Sequence, residues 1–241
     1  MKTSIAALTL SLSLTATAPA WAGGRDIDVE VTNLTNGTWF TPLLVAAHSR
    51  GLHLFQLATP ASPHLQAMAE GGDLSGLISD VEAAGAEYVA NPAGGLLAPG
   101  ASATAELTVG RHDRYLSITG MLIPTNDGFV GADGIEIPVW PGVYTFELNG
   151  YDAGTEDNNE KLVDGSGAPG VLGIPADPSG HAGTGGTGID GDDLNTTVHI
   201  HRGVVGDLDP LGGPSDLDAG IHRWQNPVAR VKVTVYARRR H

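Results

Sequence analysis

Polar and apolar residues alternate without a fault in Asp26-Ile27-Asp28-Val29-Glu30-Val31-Thr32, again in Ala103-Thr104-Ala105-Glu106-Leu107-Thr108-Val109, and most clearly in Ala229 to Tyr236. A period of two is the mark of a strand with one buried face, because successive side chains point to opposite sides of a sheet. Valines 231, 233 and 235 thus share one face, and Arg230, Lys232 and Thr234 the other. Further strands are predicted at Thr38 to Ala47, Tyr115 to Leu122, Gly142 to Leu148 and Thr196 to Arg202, with Pro42 marking an edge or a bulge in the first of these. The spacing changes only between Ser62 and Ala84. There Leu65, Met68 and Ala69, then Leu74, Leu77, Ile78 and Val81, recur at helical intervals, with Pro63 and Asp73 where helices begin. Short strands between Gly-, Pro- and Asn-containing turns, with one helical excursion near residues 62–84, predict a single all-β unit built as an antiparallel β-sandwich.

Two stretches stand outside this pattern. The Gly-rich loop near residues 164–193 carries little apolar periodicity and reads as a functional excursion or, as its composition favours, a mobile insertion. Arg238-Arg239-Arg240-His241 forms a small basic tail, read as a solvated terminus. At the other end, Lys2 precedes the apolar run Ile5 to Thr15, and Ala20-Trp21-Ala22 supplies small residues on either side of a variable one. This pattern predicts a signal peptide over residues 1–22, cleaved after Ala22, leaving 23–241 as one secreted or periplasmic domain.

Composition narrows the possible functions. The 241 residues include 27 Asp plus Glu against 13 Lys plus Arg, a formal charge of −14, which opposes bulk attraction to nucleic acid or anionic lipid and points toward cations. There is no Cys, so disulfides, thiolate metal sites and thiol nucleophiles are excluded. An exported chain without Cys fits a bacterial origin better than a small extracellular animal domain. No later stretch has transmembrane length. Motifs for a nucleophilic serine or a P-loop are absent, and the glycines from Gly183 to Gly188 lack the lysine that a phosphate cradle needs. Trp39, Trp140 and Trp224 are expected to pack in the core or at its edge.

Acidic residues gather between Pro124 and Glu160. Asn126, Asp127 and Asp133 are expected in one loop, while Asp152, Glu156, Asp157 and Glu160 follow the strand ending near Leu148. Two neighbouring acidic loops could encircle a calcium ion, which takes six to eight oxygen ligands, although Asp and Asn are also what solvated turns prefer. A second constellation, Val198-His199-Ile200-His201, puts two imidazoles on one face of a strand. With His181, His222, Asp207 or Asp209 they could share a transition metal, the basis of an alternative reading as a periplasmic metalloenzyme.

Ser117-Ile118-Thr119-Gly120-Met121-Leu122-Ile123-Pro124-Thr125-Asn126-Asp127-Gly128-Phe129-Val130-Gly131, followed by Tyr151-Asp152-Ala153-Gly154-Thr155-Glu156, resembles the paired signature of the spondin domain family. His48 to Gly51, Leu54 to Leu57, and Trp224-Gln225-Asn226-Pro227 also resemble flanking segments of bacterial spondin-domain proteins. The resemblance spans about residues 27–237. It implies a C2-like antiparallel β-sandwich holding Ca2+ through loop carboxylates, with Asp127, Asp152 and Glu156 as ligands and Asp157 as a neighbour that could substitute. Glu156 stands where the family usually has Asp. The function implied is binding to an extracellular, envelope or matrix partner rather than catalysis.

Overall fold

The computed structural model describes residues 24–189 and 195–237; the signal-peptide segment 1–22, part of the Gly-rich loop and the basic tail lie outside the described residues. In chain order the elements are β1 (Arg25–Asn33), β2 (Trp39–Phe40), β3 (Leu44–His48), α1 (Pro63–Gly71), α2 (Ser75–Ala83), β4 (Glu87–Ala90), β5 (Ser102–Val109), β6 (Tyr115–Ile123), β7 (Gly128–Glu136), β8 (Gly142–Asp152), β9 (His199–Ile200) and β10 (Ala229–Val235). The described strands pair antiparallel in one sheet of order β4-β3-β6-β7-β8-β10-β1-β5, with β2 against β6 and β9 against β8. The two ends of this sheet curl until β4 and β5 touch, so the all-β architecture is sandwich-like and nearly closed.

Alternation explains the inside of this curl. Ile27, Val29 and Val31 of β1, Ala105 and Leu107 of β5, and Val231, Val233 and Val235 of β10 meet Ile118, Leu122 and Val130 in one buried cluster. The outward positions of β1 and β10 are charged, with Glu30 opposite Lys232 and their side chains 2.7 Å apart. A second cluster lies on the other side of β3, β6 and β7, where α1 and α2 cover Leu44, Ala46, Met121 and Phe129 with Leu65, Met68, Leu77 and Val81. Ser62 starts α1 as a helix cap, its Oγ accepting from the Leu65 amide at 3.1 Å, with Pro63 in the first turn.

Burial on both faces removes the period-two signal from the middle of the sheet. Strand β7 was expected as loop; three glycines interrupt its pattern, and a Cβ at Gly131 would stand 2.7 Å from the Phe55 ring, so close packing requires the glycine. The expected strand Thr38 to Ala47 is split into β2 and β3 around Pro42, and Thr196 to Arg202 shrinks to the two residues of β9. β4 has no counterpart among the expected strands. Trp140 is 54% exposed and lies outside the buried core, whereas Trp224 is packed in it.

The described part of the Gly-rich loop departs from the mobile insertion that its composition suggested. Amides from Gly170, Gly173 and Gly186 donate to Glu70 (2.7 Å), Glu156 (2.9 Å) and Asp216 (2.8 Å), and Ile174 is fully buried. Carboxylates here do the work that strand ladders do elsewhere, satisfying backbone groups that would otherwise be buried without partners. Among the described residues no helix is long and apolar enough to cross a membrane.

Candidate functional site

The turn between β6 and β7 is organised by Thr125, whose Oγ1 accepts from the Gly128 amide at 3.0 Å. A side chain at Gly128 would collide with that hydroxyl, so the turn carries Asp127 at its tip and glycine directly after it. The β7–β8 register then sets Gly128 opposite Asp152, and the Ala153 amide donates to the Asp127 carbonyl at 3.2 Å. Two acidic turns far apart in sequence are thereby brought side by side at one end of the sheet.

Asp127 is fully buried. Its Oδ2 accepts from the Thr155 amide (2.7 Å), the Thr155 hydroxyl (3.1 Å) and the Glu156 amide (3.1 Å). Its Oδ1 is buried and accepts no hydrogen bond. Asp152, also buried, uses Oδ1 to cap its own turn through the Gly154 amide at 2.8 Å, and Oδ2 to accept from the Asn158 side-chain amide at 2.6 Å. Gly154 adopts φ +69°, and a Cβ there would stand 2.7 Å from the Thr197 amide, so this turn also depends on glycine. Burial, reinforced by the neighbouring Asp152 charge, pushes the Asp127 carboxyl up to about 7.

Glu156 is placed differently. Its backbone tethers Asp127, while its carboxylate turns to Asn126 (3.2 Å) and the Gly173 amide (2.9 Å), both on Oε2, leaving Oε1 buried without a partner. Burial pushes this carboxyl up to about 7 as well. Asn126 joins the turns from the other side, accepting from the Glu160 amide at 3.2 Å.

The remaining acidic residues disperse. Asp133 lies in β7 rather than in the loop with Asp127, and binds His53 (2.6 Å) and the Leu54 amide (2.9 Å). Asp157 is exposed. Glu160 is a buried anchor, accepting from the Val205 amide (2.6 Å), the Gly206 amide (2.8 Å) and the Ser215 hydroxyl (2.6 Å). Among the described residues no three His, Asp or Glu side chains converge as a ready-made metal cage. The carboxylates of Asp127 and Asp152 are nonetheless suited to a hard cation: the Asp152 charge is near enough to raise the proton affinity of Asp127, and Asp127 Oδ1 is buried with no donor.

The histidines are held separately. His199 directs Nδ1 to the Thr197 carbonyl (2.7 Å) and Nε2 toward Asp152 Oδ2 (3.8 Å). His201 is buried against Trp224, ring centroids 5.1 Å apart, and its Nδ1 accepts from the Gly203 amide at 2.9 Å. His222 lies in another buried group, with Nε2 near Ser179 Oγ (2.9 Å) and Asp177 Oδ1 (3.3 Å) and Nδ1 accepting from the Asp218 amide. That acceptor role places the proton on Nε2, so His222 cannot draw a proton from Ser179 as a base. Asp207 caps its own loop through the Asp209 and Ser215 amides. Asn158, which holds Asp152 Oδ2, escapes recognition as a site residue because an amide in a Gly- and Asp-rich stretch looks like an ordinary turn residue.

The chain is similar to known proteins over the stretch that carries both turns. The Spondin_N family model matches residues 33–161, which contain both acidic turns. Human Spondin-2 is 30% identical over 125 residues, covering 48% of this chain and 38% of its own length. The chain thus spans well under half of that relative.

Proposed function

Because the chain belongs to the spondin N-terminal domain family, we propose that it is a secreted or periplasmic binding module whose acidic turns hold a calcium ion and present a fixed loop surface to an extracellular, envelope or matrix partner. The observation that carries this reading is the buried pair Asp127 and Asp152, one of whose oxygens, Asp127 Oδ1, has no hydrogen-bond donor. Two carboxylates buried side by side repel each other, and a bound cation would relieve that repulsion while tying the β6–β7 turn to the end of β8. Asp127 and Asp152 would be the principal ligands. Glu156 would support them from its backbone, and its carboxylate would join only by turning away from Asn126 and Gly173.

Binding rather than catalysis is favoured by what surrounds the pair. The ordered groups are backbone amides and carboxamides that position the turns, and His199 and His201 are occupied by Thr197 and Gly203. The test is thermal unfolding after chelation with calcium, magnesium or zinc added back, on the parent chain and on Asp152→Asn. A calcium-selective rise that the variant loses is the expected result. A zinc or copper response that depends on His199 and His201 would instead support the metalloenzyme alternative.

A further inference from the structure

Arg202 and Arg223 share one open depression with Val204, Trp224 and Gln225. The two segments approach because Gly203 adopts φ +85° and lies against the Trp224 carbonyl, where a Cβ would be only 2.6 Å away. Val204 and Trp224 are nearly buried and form the floor of the depression, whose accessible surface is mainly polar, while both arginines are exposed. Most paired cations of this acidic chain meet a carboxylate: Arg114 on Glu136, Arg230 on Glu147 and Lys232 on Glu30. Arg202 and Arg223 form no salt bridge among the described residues. Arg202 uses one guanidinium N–H on the Asn158 carbonyl (2.9 Å), which steadies the group and leaves its other donors available.

We propose that this depression is an oxyanion subsite for a sulfate or phosphate monoester. A guanidinium presents a planar fork that matches tetrahedral oxyanions and binds them through paired, charge-assisted hydrogen bonds. Two guanidinium forks in one open, mainly polar depression suit a small polar ligand that carries one tetrahedral oxyanion. The overall charge of −14 does not forbid this, because exposed charges more than about 8 Å away are largely screened at physiological salt. The subsite acts through its own residues and does not rest on cation binding at Asp127 and Asp152.

The full chain is titrated calorimetrically, in chelator and low salt, with glucose 6-sulfate, glucose 6-phosphate and glucose. One of the two esters should bind saturably and glucose should not, and whichever ester binds tighter identifies the group recognised. Arg202→Gln and Arg223→Gln should each weaken binding by about tenfold, as expected for loss of one charge-assisted fork. Arg230→Gln, which removes an equal charge from a different surface, should leave it unchanged. Near-ultraviolet circular dichroism checks that the variants keep their packing. Absence of saturable binding by either ester, or equal weakening by all three substitutions, overturns the proposal.

Discussion

Replacing Asp127 with Asn should have opposite consequences with and without calcium. In the cation-free protein the buried carboxyl has a proton affinity displaced from 3.8 to about 7. The folded group therefore holds its proton up to about neutrality, whereas the unfolded group loses it near 3.8. Its contribution to stability is present below the unfolded value and is lost as pH rises through the folded one. The full displacement corresponds to about 4 kcal/mol above neutrality. Asparagine can keep an oxygen on the Thr155 and Glu156 amides, and it puts an N–H donor in place of the repulsive Oδ1. In chelator at pH 8, Asp127→Asn should unfold several degrees higher than the parent, since about 1 kcal/mol moves the midpoint by roughly 2–4 °C in a domain of this size. At pH 4 the advantage should nearly vanish. Added calcium reverses the order: a concentration one hundred times the dissociation constant stabilises the parent by about 2.7 kcal/mol, and the variant gains nothing. Differential scanning calorimetry at pH 4 and pH 8, with chelator or calcium, measures all of these differences. An Asp127→Asn protein less stable than the parent in chelator at pH 8 would show instead that the three hydrogen bonds to Oδ2 outweigh the repulsion.

Other substitutions separate ligands from scaffolding. Glu156→Gln should keep more of the calcium-induced rise in melting temperature than Asp152→Asn, because the Glu156 carboxylate faces Asn126 and Gly173 rather than the Asp pair; equal losses would make it a ligand of the same rank. Glu160→Ala leaves two amides and a hydroxyl without their acceptor, so chemical denaturation should show a loss of about 3 kcal/mol with or without calcium. At Asp177 burial pushes the carboxyl up, but bonds from His222, Ser179 and the Ala182 amide outweigh it and hold the group well below the ordinary range. Its stabilisation is therefore complete above the unfolded value of 3.8 and lost as pH falls below it, so Asp177→Asn should flatten the acid limb of a stability–pH profile.

What could be read from the chain follows from which surfaces are buried once and which twice. β1, β5 and β10 each face the core on one side only, so alternation located them to within a residue or two. β3, β6 and β7 are covered by the helices as well, and their sequences carry no alternation to read. The helices themselves were legible from Ser62, Pro63 and the leucine spacing. Within the site, the acidic turns are visible and can be expected to neighbour each other, but the contact that joins them is not, because it depends on the long-range register of Gly128 with Asp152. The reach of the Glu156 side chain was likewise hidden, since its partner Gly173 lies in a stretch with no periodicity at all. The arginine depression depends on a glycine in the left-handed region, a choice that the letter G does not reveal.

The long segment after β8 has almost no ladder of its own and is cross-linked instead by internal carboxylates: Glu70 to Gly170, Glu156 to Gly173, Glu160 to Val205 and Asp216 to Gly186. Each link closes a loop of the chain, as a disulfide would, but it forms without an oxidant. A chain with no Cys can therefore complete its loops in a reducing or an oxidising medium alike.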